Sequence, residues 1–361
     1  MRNPFINRGN LCSNVSINKL LIQKMPTDKV TQNLQGKSAL DIFSTELFIR
    51  EIKKHSRELK LNLSELEEKK LPQYLGKCLE SSDSDVRNEA QNIVRSFGER
   101  FGVILLTLKK GEKENRLKRN DWNDEHWDYW KDGIKNIILV GGLSSSILGK
   151  NLKHYAEKVF IDVNEEPYNI ILTSDSSNAG IRGCTEYINE KKEGLKYLIL
   201  DCGQTFIKRS YVTFTKEKIL NINKLDKVPS KYVTWEFENV DDEKKEAVLL
   251  SEYLLGTIQS TIRTLDESAD SVGEDIVISI ANYVRHGLFA DRGGYGKLKL
   301  VTDDYEKYLS YKLYDKFKRK FKITLVHDGT AMAAAFCNYQ DSVCISLGTA
   351  FGVGFPERLD K

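Results

Sequence analysis

A two-domain α/β protein is the fold class this sequence predicts, and three observations predict it. Apolar runs of strand length alternate with amphipathic stretches of helix length. The chain has 361 residues, too many for one small core and enough for two domains of roughly 150 to 200 residues each. With 40% hydrophobic and 30% charged residues and only six prolines, its composition is that of a packed globular protein rather than a disordered or repetitive one.

Taken in order, Val86, Ala90, Ile93, Val94, Phe97, Phe101, Ile104, Leu105 and Leu108 fall on one helical face, so a helix is expected from Ser84 to Leu108 with Asp83 or Ser84 as its cap. A charged stretch and an aromatic run follow, in which Trp122, Trp127 and Trp130 are read as packing residues of a surface helix. Asn136 to Val140 reads as a buried strand that stops at Gly141-Gly142. After the charged link from Lys191 to Leu195, Lys196 to Asp201 is a second buried strand, this one ending in an acid. A long helix around Glu243 to Asp266, a strand over Asp275 to Ile280, a glycine-rich bend at Arg292 to Gly296, a basic helix near Tyr305 to Lys320 and a strand over Phe321 to Val326 continue the alternation. Asp341 to Ser346 and Phe351 to Phe355 are expected to pair through a turn at Leu347 to Ala350.

The balance of charge narrows the function classes. Lys plus Arg total 55 against 52 Asp plus Glu, and no helix-turn-helix precedes the fold, so nucleic acid is not an expected partner. No apolar run reaches the ~18 residues that span a bilayer, so no membrane partner is expected either. The six cysteines are scattered without a C-x-x-C pair, which predicts neither a zinc cluster nor a disulfide framework and fits a reducing cytoplasm.

Four segments carry chemistry. Asp201-Cys-Gly203-Gln204-Thr205-Phe-Ile-Lys208 sets an acid at a strand end beside a glycine, a hydroxyl and a cation; a carboxylate holds hydrated Mg²⁺ and the others suit phosphate, although such a turn is also ordinary punctuation. Ser346-Leu-Gly348-Thr349-Ala-Phe-Gly352 is a second glycine-and-hydroxyl turn, with a plain kinked hairpin as its bland reading. Val140-Gly141-Gly142-Leu143-Ser144 ends a strand and opens a helix, where backbone can lie against a base or ribose. Thr324-Leu-Val-His327-Asp328-Gly-Thr330 places Asp328 where a carboxylate can accept a hydroxyl proton, or simply cap the helix that follows.

Together these segments resemble the motifs of the ASKHA superfamily of actin-like ATPases and sugar kinases, most closely the ROK kinases. The Asp201 segment looks like phosphate-one, the Ser346 hairpin like phosphate-two, the Val140 segment like the adenosine motif and the Asp328 segment like the catalytic one. The order is rotated: the adenosine segment comes first, Asn178-Ala-Gly180-Ile-Arg-Gly183 resembles the family's usual C-terminal helix, and the Lys191 link joins the old C-terminus to the old N-terminus. The resemblance therefore implies a circularly permuted, two-domain actin-like (ribonuclease H-like) fold. Residues 1–190 are then the family's C-terminal half, on the adenosine side, and residues 191–361 its N-terminal half.

The resemblance implies ATP and Mg²⁺ as cofactors and a small-molecule acceptor, a carbohydrate, as partner, with a homodimer left open. It implies that Asp201 positions Mg²⁺ and that Asp328 is the base. Gly203, Gln204, Thr205, Lys208, Gly348 and Thr349 then surround the phosphates, and Gly141, Gly142 and Leu143 line the adenosine pocket. The chain departs from the family in residues 1 to 40, where the first acid is Asp28 and no histidine precedes His55, so the E-x-G-H sugar pair and the cysteine-rich zinc loop are missing. His327 stands where the family has Asn, and Gln204 and Ala350 replace glycines. The expected activity is transfer of the γ-phosphoryl of ATP to a sugar hydroxyl; the alternative is a non-catalytic ATP-binding regulator of the same fold.

Overall fold

The computed structural model describes residues 1–7, 10–173, 176–267 and 271–356. In chain order, the elements that frame the site are α1 (Ala39–Ile42), α2 (Thr45–Lys54), α3 (Leu71–Cys78), α4 (Ser84–Lys110), β1 (Asn136–Val140), α5 (Ser146–Ile161), β2 (Asn169–Leu172) and α6 (Ala179–Cys184). They continue with β3 (Leu195–Cys202), β4 (Phe206–Thr215), β5 (Lys218–Pro229), α7 (Val240–Asp266), β6 (Ser271–Ile280), α8 (Tyr305–Phe317), β7 (Lys322–His327), α9 (Asp328–Ala334), β8 (Ser342–Leu347) and β9 (Phe351–Gly354). The protein is a mixed α/β fold of two compact units, Met1–Ser177 with Asn338–Pro356, and Asn178–Cys337.

These units do not follow a division of the chain at residues 190 and 191. The terminal hairpin joins the first unit because β8 pairs in parallel with β1, Ser346 opposite Val140. Helix α6 joins the second because Gly183 lies against the backbone of α9, where a Cβ would come within 1.5 Å of the Ala331 carbonyl oxygen.

In the first unit α4 starts where expected, with the Asp83 carboxylate accepting the Asp85 and Val86 N–H groups, and it stops at Gly111 in the left-handed region. Gly98 and Gly102, one helical turn apart, let α5 approach closely: a Cβ on Gly102 would sit 2.8 Å from the Ala156 carbonyl oxygen. The aromatic run is less superficial than its sequence suggests. Trp127 and Trp130 are 1% and 0% exposed, and Trp122 packs edge-on against Trp127, because the segment folds under the N-terminal strand of chain that carries Phe5. The sheet of this unit has the order β9-β8-β1-β2, with β8–β9 antiparallel and the other pairs parallel.

The second unit explains why its strands read as unbroken apolar runs. Along β3, Leu198, Leu200 and Cys202 enter one core with Leu250, Leu254 and Ile258 of α7 and Leu309 and Leu313 of α8. Tyr197 and Ile199, pointing the other way, enter a second core with Ile181 and Cys184 of α6 and Ala331 of α9. Helices cover both faces, so both sets of alternate residues must be apolar, each stabilising the fold by about 1.5 to 3 kcal/mol. The sheet order is β7-β6-β3-β4-β5, parallel from β7 to β3 and antiparallel from β3 to β5.

The two sheets share one wiring. In the second unit a hairpin (β3, β4) is followed by a 27-residue helix, α7, and then by two strands parallel to β3. In the first, the hairpin (β8, β9) has the same relation to β1 and β2, and the helix before β1, α4, is also 27 residues long. The chain order differs, since here the parallel strands precede the hairpin, and the sheet of the second unit has one further antiparallel strand, β5, before its helix. Among the described residues no helix is long and apolar enough to cross a membrane, and the six cysteines are free thiols.

Candidate functional site

Strand register brings the acids of the second unit together. Asp201, near the end of β3, is opposite Ser279 of β6, which is opposite Val326 of β7; Asp328 lies two residues further on, at the start of α9. The three strands are parallel, so both carboxylates belong to the same C-terminal sheet edge, on strands roughly 10 Å apart at about 4.8 Å per step. Such an edge is where α/β sheets present ligands.

Asp201 is also opposite Lys208 across the antiparallel β3–β4 pair, and Lys208 Nζ donates to Asp201 Oδ2 at 2.7 Å. The Asp201 charge, together with that bond and the more distant Asp328, raises the Lys208 pKa against some desolvation. Lys208 is thus a strand residue facing the acid, with its side chain 62% exposed.

Asp328 is the first residue of α9 rather than its cap. The cap is His327, whose Nδ1 accepts the Thr330 N–H at 3.3 Å, because the extended backbone of His327 turns its ring back over the first turn. An Nδ1 that accepts leaves the proton on Nε2, which lies 3.1 Å from Asp328 Oδ1. Burial lowers the His327 pKa, in keeping with a neutral ring, and Asp328 opposes that shift. The ring stacks on Tyr283 at 4.4 Å.

Asp328 Oδ1 accepts the Gly329 N–H at 2.7 Å. The bond and the His327 contact both fall on Oδ1, so Oδ2 has no hydrogen-bond partner among the described residues, and 43% of the side chain is open to water. Burial by the surrounding chain raises the Asp328 pKa and the Asp201 charge adds to the effect, while His327, the Gly329 bond and Lys208 hold it back. The carboxylate is crowded without being sealed off.

The turn between β3 and β4 is more constrained than expected. Gly203 donates its N–H to the Phe206 carbonyl at 3.2 Å, so that group is not available to a phosphate. Its carbonyl accepts from Ser230 Oγ at 2.6 Å and from the Tyr295 hydroxyl at 3.0 Å. Nor does the turn require glycine here: a Cβ would meet only the Phe206 oxygen, at 3.4 Å. Gln204 Oε1 accepts from the indole of Trp235, which is 54% exposed. Thr205 is exposed. Sequence reasoning did not single out Trp235, Ser230, Tyr283 or Tyr295; the one signal was the Gly-rich bend, where Gly293 and Gly294 take φ of 76° and 50° and lie against the Trp235 ring.

In the first unit the two glycine turns also meet at one sheet edge. Gly141 has φ of 96°, and a Cβ there would lie 2.7 Å from the Leu347 carbonyl oxygen, immediately before Gly348. Gly142 and Thr349 are exposed, whereas Leu143 is 2% exposed and faces the core, so only its backbone can reach a ligand. The hairpin is braced from below: Thr45 of α2 donates to the Gly348 carbonyl at 2.9 Å, and Phe43 stacks on Phe351 at 5.4 Å.

The acid pair fits a magnesium ion. Mg²⁺ is held by one or two carboxylates plus water and phosphate oxygens rather than by an all-protein cage. Asp201 and Asp328 are such a pair, each within reach of the other's charge, and among the described residues no group of three acidic, histidine or cysteine ligands forms a closed site. No protein-family model matches this chain, and no curated protein matches it.

Proposed function

We propose that this chain is an ATP- and Mg²⁺-dependent phosphotransferase, a circularly permuted relative of the ROK sugar kinases within the actin-like, ribonuclease H-like class, acting on a hydroxyl of a sugar or sugar-like molecule. The observation that carries the reading is the pair of carboxylates at one sheet edge, one paired with a mobile cation and the other with a raised pKa and an open oxygen. A base is most effective when its pKa moves toward the working pH, and burial moves Asp328 in that direction. The shared wiring of the two sheets, with the hairpin and parallel strands in opposite chain order, supports a duplicated fold and its permutation.

In this reading Asp201 holds the hydrated metal, and Lys208 turns from Asp201 to phosphate oxygens. Asp328 takes the acceptor proton at Oδ2, while the Gly329 N–H holds Oδ1, with His327 Nε2 beside it. Bound Mg²⁺ neutralises charge on the phosphates as the phosphoryl group moves. Gly141, Gly142, Gly348 and Thr349 supply the nucleotide-binding turns of the first unit.

A second reading, a nucleotide-binding regulator without transfer activity, is favoured by the engaged Gly203 N–H and by the absence of an acid or histidine before Asp28. Mg·ATP turnover against a panel of sugars, amino sugars and nucleosides, with wild type and Asp328→Asn side by side, separates the two. Acceptor-dependent ADP release that the substitution removes supports the kinase. Tight Mg·ATP binding with no turnover on any acceptor supports the regulator, and no Mg·ATP binding at all refutes both.

A further inference from the structure

A polar cavity lies within the first unit, lined by none of the glycine-turn residues. It has a volume of about 310 Å³ and is walled by Gln32, Lys37, Asp41, Arg50, Glu51 and Arg100, with α1 and α2 on one side and α4 on the other. The cavity is large enough for a small metabolite rather than a lone water.

Its charges are unequally committed. Asp41 is absorbed by the α1 capping box, its Oδ2 accepting from the Ser38 N–H at 3.0 Å and the Ser38 hydroxyl at 2.6 Å. Glu51 Oε1 takes Lys54 and His55, at 3.3 and 3.2 Å. Lys37, Arg50 and Arg100 form no ion pair within 4.0 Å among the described residues, so the charges of Glu51 and Glu99 on Arg100, and of Lys37 on Asp41, act only at longer range. Both acids are therefore turned to other groups, while three positive side chains border the space.

Arg100 is the built part of this site. Gln32 Oε1 accepts from Arg100 Nε at 2.7 Å, and Gln32 is itself fixed, its amide nitrogen donating to Glu99 Oε2 at 2.9 Å and to the Ser96 carbonyl at 3.1 Å. The guanidinium lies over the Phe97 ring at 4.5 Å, and its Nη1 makes only a 3.4 Å contact with the Ile42 carbonyl. Nη2 has no acceptor among the described residues. A planar guanidinium held by one nitrogen and a ring face, with its far edge unengaged, is prepared for an oxyanion. Burial of Arg100 lowers its pKa, the usual mark of a cation with too little compensation.

We propose that this cavity binds a small phosphate-bearing metabolite, with Arg100 as the fixed anchor and Arg50 and Lys37 closing on the anion from the solvent side. The site is independent of the nucleotide reading, since it uses none of those residues. Its α1–α2 wall is nevertheless the segment that braces the Gly348 hairpin.

The test is calorimetric titration of the full chain with inorganic phosphate and pyrophosphate, for wild type, Arg50→Gln, Arg100→Gln and, as a control, the double substitution Gly348→Ala with Thr349→Ala in the glycine turn. Saturable binding weakened roughly tenfold by Arg50→Gln, weakened further by Arg100→Gln and unchanged in the control, establishes the site. Arg50 is exposed and its side chain makes no hydrogen bond among the described residues, so its substitution reports on binding even if Arg100→Gln does not fold. No saturable binding of either anion, or binding that Arg50→Gln leaves intact, overturns the proposal. Binding lost only in the control places the anion at the glycine turn and also overturns it.

Discussion

Asp328→Asn separates a structural carboxylate from a catalytic one. Asp328 Oδ1 accepts the Gly329 N–H and lies 3.1 Å from His327 Nε2, and the Asn amide oxygen keeps that bond, while Oδ2, which becomes the NH₂ group, has no partner to lose among the described residues. The cap of α9 is untouched because His327 provides it. Stability should therefore change by less than ~1 kcal/mol. The sign at neutral pH also follows. A carboxyl with a raised folded pKa contributes stability that is fully present below its unfolded value, near 3.8, and lost as pH rises through the folded value, so at pH 7 the ionised Asp328 is already unfavourable. Neutral Asn removes that cost, and the melting temperature at pH 7 should equal or exceed that of wild type. Loss of a positioned base costs ~10²- to 10⁴-fold in rate, about 3 to 5 kcal/mol at the transition state. ADP release on a verified acceptor and thermal unfolding, measured on one preparation, give both numbers. Unaltered turnover with an unaltered melting temperature would refute the assignment of Asp328 as base.

Other perturbations probe the same frame. Asp201→Ala should weaken Mg·ATP binding in a calorimetric titration with little loss of stability, because its partner Lys208 is 62% exposed and such a pair is worth at most ~1 kcal/mol; unchanged affinity would remove Asp201 from the site. Gly141→Ala should destabilise by roughly 2 kcal/mol or more in urea unfolding, from a φ of 96° and a 2.7 Å clash with the Leu347 oxygen. Gly142→Ala, with nothing within 4 Å, should be near neutral, and equal effects would contradict the turn geometry. Glu306 is raised chiefly by burial, while its Oε1 accepts the Leu325 N–H at 2.7 Å. Its contribution is fully present below about pH 4.5 and fades as pH rises through the raised value, so Glu306→Gln should flatten the loss of stability above pH 4.5; a parallel pH profile would count against that shift.

How much of this was legible depends on what each residue faces. Strands β3, β6 and β7 could be read directly because helices cover both of their faces and their central positions are mostly apolar, as Leu198 and Ile199 show by entering opposite cores. The β4–β5 hairpin was not legible. Its turn places Lys216 and Glu217 at φ of 47° and 63°, a conformation normally signalled by Asn-Gly, and the strands that follow carry solvent-facing lysines. The described residues up to 80 form two-residue strands, single turns and short helices, each too brief to stand out as a long periodic pattern. Residue preference offers Asp328 as the plain cap of α9, yet His327 takes that place because the backbone bends one residue earlier and a ring nitrogen serves as acceptor. The meeting of Asp201 with Asp328 depends on β6 lying between β3 and β7, a long-range register that no local pattern encodes.

That register also decides how phosphate would be recognised. At the β3–β4 turn the Gly203 N–H is engaged by Phe206 and its carbonyl by Ser230 and Tyr295, a buried ring whose hydroxyl also bonds Ser230 at 3.2 Å. Freeing the N–H would break a backbone bond and strain two side-chain bonds, each worth about 0.5 to 1.5 kcal/mol. Freeing Lys208 breaks one exposed ion pair, which costs ~1 kcal/mol at most, and phosphate returns a charge-assisted bond in its place. The cheaper route is through side chains. Under the proposed function, recognition in the second unit would rest on Lys208 and the exposed Thr205 rather than on a backbone cradle, and Gln204, turned toward Trp235, would stand where a glycine is expected without removing a phosphate donor.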